Sequence, residues 1–275
     1  MSSDRSDFES GLEIVLRREI SDCRGLERAE RLSGGASQET YRLTLSQGSR
    51  CGTLCLRRAA GGVAVESEVR VAPGLATEAR LMACAREAGV PEPEVYYVLQ
   101  EADGLGEGFI MEWLDGETLG ARIVRAPELD AIRPTLAYSC GEILARIHGI
   151  DLDASGLRDR LEAAPPEHFV SQTWERYKLL NTPQPMIDFA GRWLMDHLPS
   201  DYESTLVHND FRNGNFMVND QGINAVLDWE IAHIGDPMRD LGWICTNSWR
   251  FGETDLPVGG FGEYSDLFAG YSRSP

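Results

Sequence analysis

The chain has 275 residues, longer than most single domains and shorter than two full-sized ones, which favours one two-lobed unit or two small domains that share an interface. Hydrophobic residues make up 42% and charged residues 25%, and this ordinary composition excludes wholesale disorder and collagen-like or coiled-coil architectures. Asp and Glu outnumber Lys and Arg by 44 to 26, and the resulting net charge of −18 argues against binding to nucleic acid or to an anionic membrane.

The apolar runs are short and the cysteines are scattered. Runs such as FIMEWL fall far short of the roughly 18 residues that a membrane span requires, and the first ten residues lack a basic and then apolar signal segment. We therefore expect a cytoplasmic protein. The six cysteines form no CxxC pair and no zinc-finger spacing with the five histidines, so we predict mostly reduced core cysteines.

The first part of the chain mixes helices with strands. The segment FESGLEIVLRREI places its apolar residues on one helical face, whereas TYRLTL and TLCLRR alternate in the manner of two strands joined by a turn. The segment GLATEARLMACAREAG predicts a helix that stops at Gly89, with Pro91 just beyond. EVYYVLQ and GFIMEWL predict two further strands.

The second part is predicted to be mostly helical. The segment PTLAYSCGEILARIHGI and the stretches 167–180 and 184–198 have helical periodicity. Strands followed by helices predict two lobes, residues 1–114 and 115–275, with a boundary near Leu114 to Thr118. A cleft between two lobes is a common ligand site, so we expect the functional site there.

Polar side chains are concentrated in LVHNDFRNGNFMV, residues 206–218. Asp210 and Asn215 are five residues apart, and Asp228 follows thirteen residues later at the end of the apolar run AVL. These oxygen-bearing side chains lie on a segment that can fold back as a β-hairpin, and such a set suits Mg²⁺, which takes a few protein oxygens together with phosphate and water. We expect Asp210 to be the proton acceptor.

This arrangement resembles a known family. HxDxxxxN followed by a strand that ends in Asp resembles the catalytic signature of protein-kinase-like phosphotransferases. The segments VHNDFRNGNFMV and VLDWEIAHIGDPMRDLGW are similar to sequences of the aminoglycoside phosphotransferase family. The similarity is greatest to the branch with kinase-like domains fused to acyl-CoA dehydrogenases. The resemblance runs from about Leu32 to Tyr271 and is strongest over residues 206–245.

The resemblance implies an α+β, protein-kinase-like bilobal fold with an antiparallel sheet in the N-lobe and a mostly helical C-lobe. Members of the family normally continue for several more helices that border the acceptor pocket, so the resemblance also implies a C-lobe truncated either in this sequence or in nature. It implies that Asp210 is the catalytic base and that Asn215 and Asp228 hold magnesium. Structural roles, without catalysis, fall to His208, Asp236 and Asp240.

The resemblance places a phosphate-binding loop at SGGASQETYRL, residues 33–43. Gly34 and Gly35 would let the backbone approach phosphate, and Ser37 could donate a hydroxyl or an amide. A Gly-Gly pair before a strand is more often an ordinary hairpin turn. Its place in the order of motifs favours the phosphate-binding interpretation.

The phosphate-binding lysine of the third strand is missing, because Lys178 is the only lysine in the chain. Arg57 or Arg58 would replace it, and we prefer Arg57, which shares a strand face with Cys55. Glu78 on the following helix is the expected counter-ion. Arginine stays charged and is forked, so the ion pairing is kept although its geometry differs from that of lysine.

The segment FIMEWLDGETL resembles the linker between the lobes. Met111 would lie near the gatekeeper position, and the backbone of Glu112, Trp113 and Leu114 would bind the adenine edge. The isolated histidines and four tryptophans are predicted to be packing or surface residues without a role in the site. The four tryptophans, predicted to lie in the core, are Trp113, Trp229, Trp243 and Trp249.

The function implied is an ATP- and Mg²⁺-dependent phosphotransferase that phosphorylates a hydroxyl of a small molecule. Relatives fused to acyl-CoA dehydrogenases favour a hydroxyacyl-CoA or hydroxy acid over an aminoglycoside as the acceptor. The missing lysine and the short C-terminus leave a nucleotide-binding pseudokinase or regulatory module as the alternative. A protein kinase is less favoured, because DWE replaces DFG and no APE segment is recognisable.

Overall fold

The computed structural model describes residues 6–32, 38–46, 52–62 and 73–273. Its first helix, α1 (Asp7–Glu19), begins at Ser6, whose hydroxyl accepts a hydrogen bond from the Glu9 amide at 3.2 Å. The Glu9 carboxylate accepts one from the Ser6 amide in return, which forms a capping box. The apolar face of α1 is buried against the sheet, so the helix predicted over residues 8–20 is confirmed.

An antiparallel sheet of five strands follows, in the order β1-β2-β3-β5-β4. The strands are β1 (Leu26–Arg31), β2 (Gln38–Leu45), β3 (Thr53–Ala59), β4 (Val95–Val98) and β5 (Gly108–Glu112). Four of the five are predicted from the sequence. The edge strand β1, LERAER, has four charged residues and only one buried position, so it shows no apolar alternation that could have predicted it.

Helix α2 (Leu75–Glu87) packs on β4 and β5 and brings Glu78 towards β3. Gly89 follows the helix with a φ of +81°, a left-handed conformation that favours glycine, so the predicted stop is confirmed. The side chain of Glu78 is buried in spite of its charge. A buried carboxylate requires a partner, which the candidate site provides.

The second half contains six helices and four short strands among the described residues. The helices are α3 (Gly120–Arg125), α4 (Leu136–His148), α5 (Pro166–Leu179), α6 (Pro185–Asp196), α7 (Met238–Ile244) and α8 (Tyr264–Arg273). The strands are β6 (Thr205–Val207), β7 (Phe216–Asn219), β8 (Gly222–Val226) and β9 (His233–Gly235), which pair as β6-β9 and β7-β8. The predicted change from strands to helices along the chain is confirmed.

Helices α4 and α8 pack closely against each other through two glycines. A Cβ at Gly141 would lie 2.1 Å from the Leu267 carbonyl oxygen, and one at Gly270 would lie 2.1 Å from that of Tyr138. Any side chain at either glycine would force the helices apart. This contact places the end of α4 beside α8, where the Nδ1 atom of His148 lies 2.9 Å from the hydroxyl oxygen of Tyr271.

One apolar core joins the two halves of the chain. It includes Phe109 of β5, Leu144 of α4 and Phe216 of β7, and a smaller core lies between α1 and the sheet. Since the larger core continues across the linker, it does not define where one lobe ends, and the boundary at 114/115 stays a prediction. The predicted α+β class is confirmed. In the ranges described, no helix combines the length and apolar character needed to cross a membrane.

The cysteines lie mainly in the interior, as predicted. Cys55, Cys84 and Cys140 are buried, and Cys23 and Cys245 are half-buried. All five described cysteines are free thiols, and Cys51 lies outside the described residues.

A buried hydrogen bond connects the segment between α2 and β4 to Trp229 of the DWE segment. The indole Nε1 of Trp229, which is fully buried, donates to Oε1 of Glu92 at 3.1 Å, and its ring packs against His208. Burial raises the pKa of the Glu92 carboxyl well above its usual value of 4.5. The carboxyl is therefore held in its neutral form in the folded protein over a pH range in which the unfolded chain is ionised.

We predict that Glu92→Gln flattens the dependence of stability on pH. Because the folded pKa lies above the unfolded pKa of about 4.5, the wild-type free energy of unfolding falls as the pH rises above that value. Glutamine keeps the acceptor oxygen and cannot ionise, so at pH 8 the variant should be more stable than the wild type, and near pH 4.5 the two should converge.

Urea titrations at the two pH values measure this difference. The exposed Glu94→Gln, two positions away, is the matched control and should follow the wild type at both. Equal pH dependence in the wild type and Glu92→Gln would show that the carboxyl ionises freely in the fold.

Candidate active site

A buried carboxylate fixes the loop between β6 and β7. Asp240 on α7 accepts hydrogen bonds from the backbone amides of His208 at 2.8 Å and Asn209 at 2.7 Å. The Nε2 atom of His148 lies 3.1 Å from the same carboxylate. Asn209 has a φ of +71°, a left-handed conformation that asparagine tolerates better than most residues. Asp240 therefore holds the loop in a shape that it would not adopt alone.

The charge of Asp240 is retained although the residue is fully buried. Burial acts to raise its pKa, but the hydrogen bonds with His148 and with the loop amide outweigh burial and hold the pKa below its usual range. Asp240 is thus an ionised group with fixed partners, which agrees with the structural role that the sequence predicts for it.

His208 connects this loop to the end of β8. Its Nε2 lies 3.1 Å from the Leu227 carbonyl oxygen, and its Nδ1 accepts from the Asp210 amide at 3.3 Å. These partners assign a neutral imidazole with the proton on Nε2. Burial lowers the pKa of His208, in agreement with that assignment. His208 supports the loop from within.

The hairpin of β7 and β8 brings Asn215 and Asp228 to one end. Phe216 pairs with Val226, so the residues just before β7 and just after β8 are neighbours, and the Leu227 amide donates to the Asn215 carbonyl at 2.8 Å. The β-hairpin that the spacing of Asn215 and Asp228 predicts is therefore present.

Asp210 is held against the same end of the hairpin. The side-chain amide of Asn215 donates to Oδ2 of Asp210 at 2.5 Å and to its backbone carbonyl at 3.0 Å. Since the nitrogen of this amide faces Asp210, its oxygen is directed elsewhere. Asp210, Asn215 and Asp228 are thus brought together, as the sequence analysis requires.

The donor chemistry of these residues fits magnesium. The Asp228 carboxylate is one-third exposed, with a side-chain accessibility of 33%, and the Asn215 amide oxygen is a second hard donor. Within the described ranges, no cluster of three or more His, Cys, Asp or Glu side chains could hold a metal by itself. A site with few protein ligands is the kind in which Mg²⁺ takes its other ligands from phosphate and water.

Arg57 lies at the same place and joins the sheet to the hairpin. Its Nη2 is 2.7 Å from Oδ1 of Asp228 and 3.2 Å from Oε1 of Glu78, and its Nε donates to the Gln38 side chain. Burial raises the pKa of Glu78 to about 7, against the attraction of Arg57, which lowers it. Arg57 is therefore in direct contact with the predicted metal ligand Asp228.

The other arginine of the pair points away. The Arg58 guanidinium lies over the Phe8 ring of α1, 4.5 Å from its centroid, and 4.0 Å from the carboxylate of Glu39. Strand alternation separates the two arginines, and the arrangement favours Arg57 over Arg58 for contact with a ligand in the cleft.

A cleft of about 360 Å³ lies beside this cluster. It is lined by the four predicted linker residues together with residues of both halves: Leu32, Thr40, Cys55, Arg57, Pro93, Met111, Glu112, Trp113, Leu114, Asp115, Gly116, Thr118, Met217, Ala225 and Leu227. The contact of the linker backbone with the adenine edge stays a prediction. The backbone amide of Glu112 donates to the Glu94 carbonyl at 2.8 Å. A ligand in the cleft cannot use that amide without breaking the bond.

The predicted phosphate-loop residues Gly34, Gly35 and Ser37 lie outside the described residues. Gln38, the first residue described after them, contacts Arg57 and donates to Glu230 at 3.4 Å. The sequence does not predict a role for Gln38, because a single glutamine at the start of a strand has no distinguishing pattern.

The prediction for the tryptophans is only partly right. Trp229 is in the core and Trp113 and Trp249 are half-buried, but Trp243 is exposed and its Nε1 donates to Oδ1 of Asp210 at 2.6 Å. Trp243 follows Asp240 by three residues on α7, a spacing that places both on one side of the helix. This spacing is the feature of the sequence that could have predicted Trp243 near the site.

The described fold is that of the protein-kinase-like class of proteins. The family model described as the phosphotransferase enzyme family matches residues 28–274, so the chain belongs to that family. Acyl-CoA dehydrogenase family member 10 of Mus musculus is 30% identical over 220 residues, which are 77% of this chain and 19% of that protein. The chain thus spans about a fifth of the length of this curated relative, and the predicted resemblance is confirmed.

Solved structures support the same fold. A crystal structure from Ralstonia eutropha JMP134, of a proposed aminoglycoside phosphotransferase, has a TM-score of 0.73 at 24% identity and covers 97% of this chain and 81% of that chain. The ternary complex of APH(2″)-IIa with streptomycin and ATP has a TM-score of 0.57 at 16% identity and covers 99% and 84%. The predicted protein-kinase-like fold is confirmed.

We predict that Asp240→Ala lowers the free energy of unfolding much more than a surface substitution does. The change leaves two backbone amides and His148 without their acceptor in the interior, so the free energy of unfolding should fall by roughly 3–5 kcal/mol. Denaturant titration measures it, with the exposed Asp255→Ala as the control. A loss below about 1 kcal/mol would mean that water or another group replaces the carboxylate.

Proposed function

We propose that the protein transfers the γ-phosphate of ATP, with Mg²⁺, to a hydroxyl of a small molecule. The observation that supports this proposal is the meeting of Asp210, Asn215 and Asp228 with Arg57 at one side of the cleft. Residues 1–114 would supply the nucleotide contacts, and residues 115–275 the catalytic loop and metal segment. Membership of the phosphotransferase enzyme family supports the reaction class.

The nucleotide would occupy the cleft beside the linker. Met111 would lie near the base, and the backbone of Glu112, Trp113 and Leu114 would bind its edge, with the Glu112 amide already bonded to the Glu94 carbonyl. Gly34, Gly35 and Ser37 are assigned to the phosphates by their place in the order of motifs. Solved structures of the same fold hold ATP or GDP, which supports a purine nucleotide in this cleft.

Arg57 would meet the nucleotide phosphates, with Glu78 as its counter-ion. In a protein with a net charge of −18, the half-buried guanidinium of Arg57 would offer the phosphates a cation at the cleft. Asn215 and Asp228 would hold Mg²⁺, which when bound neutralises charge on the phosphates. The arginine keeps the ion pairing that the family normally obtains from lysine.

Asp210 would act on the acceptor. Its carboxylate would orient the hydroxyl and take its proton as the hydroxyl oxygen attacks the γ-phosphorus and ADP leaves. The side chain of Asp210 is 20% exposed, so it can be reached from solvent while its position is fixed by neighbours. Preorganisation of this kind lowers the cost of bringing base and hydroxyl together.

For the acceptor we favour a hydroxyacyl-CoA or hydroxy acid over an aminoglycoside. The supporting observation is the similarity to an acyl-CoA dehydrogenase family member, since a kinase domain joined to such an enzyme would share its type of substrate. A cytoplasmic location stays our expectation. The acceptor is tested by a screen of Mg²⁺-dependent ATP consumption with hydroxyacyl-CoAs, amino sugars and simple alcohols. Turnover with none of them would contradict the proposed function.

The alternative is a nucleotide-binding pseudokinase or regulatory module, which the replacement of lysine by arginine favours. We predict that Asp210→Asn lowers turnover by roughly 10²- to 10⁴-fold, because it removes the general base. The affinity for ADP, measured by calorimetry, should change little. The exposed Asp220→Asn is a matched control that should keep full turnover.

Equal activity in the wild type and Asp210→Asn would exclude Asp210 as the base. Tight nucleotide binding in the wild type, without turnover for any acceptor, would favour the pseudokinase.

A further inference from the structure

Both oxygens of the Asp210 carboxylate have donors. Oδ1 receives the Trp243 indole Nε1 at 2.6 Å and the Arg212 Nε at 3.2 Å, and Oδ2 receives the Asn215 amide at 2.5 Å. A carboxylate oxygen has two lone pairs for hydrogen bonds. The accepting capacity of Oδ1 is therefore filled, whereas Oδ2 can accept one further hydrogen bond.

The contact from Trp243 is specific for its N–H group. The residue is 37% exposed, so burial does not account for its orientation, and its Nε1 lies at the short end of hydrogen-bond distances. Apolar packing alone does not orient the indole N–H group of a tryptophan towards a carboxylate.

Neighbouring groups hold the indole and the guanidinium in place. The Trp249 ring meets the Trp243 ring edge to face at 5.5 Å, and the Arg212 guanidinium lies over the Trp249 ring at 4.3 Å. The Trp249 Nε1 is buried and has no hydrogen-bond partner among the described residues, so the contacts of Trp249 are made by its ring. Of the two tryptophans, Trp243 alone directs its N–H at the base.

We propose that Trp243 is a positioning residue that fixes the rotamer of Asp210 and directs proton transfer to Oδ2. The proposal rests on the proposed function. The acceptor O–H donates to Oδ2, its oxygen forms the new bond to the γ-phosphorus, and the bond from that phosphorus to the β–γ bridging oxygen breaks. The proton ends on Asp210, and the products are the phosphoester and ADP.

The hydrogen bond can be tested without any turnover. In the full protein labelled with ¹⁵N at its six indoles, the Trp243 resonance is the one that Trp243→Phe removes. Asp210→Ala should move that resonance and leave the Trp193 resonance, on the exposed face of α6, in place. An unchanged Trp243 resonance in Asp210→Ala would overturn the proposal.

The catalytic role is tested with Mg²⁺-ATP and water as the acceptor. Benzothienylalanine at position 243 keeps the shape of the indole but has sulfur in place of N–H. This variant and Trp243→Phe should both lower kcat roughly 10- to 100-fold, because the base is no longer oriented. The KM for Mg²⁺-ATP should stay within about twofold, because the indole contacts the base rather than the nucleotide. Trp193→Phe is the matched control and should keep both values.

The outcomes separate the two proposals. Full turnover in the benzothienylalanine protein would show that the shape of the indole suffices and would overturn the role of its N–H group. A fall in nucleotide affinity equal to the fall in kcat would overturn it as well. A wild-type protein without turnover in water and throughout the acceptor screen would contradict the proposed function, and the catalytic role of Trp243 with it, while the indole resonance still decides the hydrogen bond.

Discussion

The pairing of β7 with β8 is the constraint on which the site depends. It places Asn215 and Asp228 at one end of a short hairpin, where the Leu227 amide is bonded to the Asn215 carbonyl. Asp210 is then held by the Asn215 side chain, so one backbone arrangement determines the positions of the base and of both predicted metal ligands. A hairpin of this kind has few internal degrees of freedom, which makes it suitable for groups that must meet a small cation.

Charge is arranged around this hairpin in two layers. On the inner side, the ionised Asp240 accepts backbone amides and fixes the loop, and the neutral His208 joins the loop to β8. On the cleft side, Arg57 is shared between Glu78 and Asp228, so a guanidinium lies where an anionic ligand would arrive. The inner groups fix the loop, and the outer ion pairs hold the guanidinium of Arg57 beside the cleft.

The sequence predicts what depends on spacing along the chain and misses what depends on packing. Asp210, Asn215 and Asp228 follow from the length of a loop and a hairpin, and Arg57 from strand alternation. Trp243 reaches Asp210 only because α7 packs beside the loop, and one exposed indole has no periodic pattern that reveals this. The edge strand β1 was missed for a related reason, since a mostly charged strand with one buried residue shows no alternation.

The central claim is that Asn215 and Asp228 hold a divalent ion against the phosphates of a nucleotide. Calorimetric titration of ATP into the wild type and Asp228→Asn, each with and without Mg²⁺, tests it most directly. We expect Mg²⁺ to strengthen ATP binding to the wild type at least roughly tenfold, through a charge-assisted interaction that the variant lacks. An equal gain from Mg²⁺ in both proteins would contradict the assignment of Asp228 as a metal ligand.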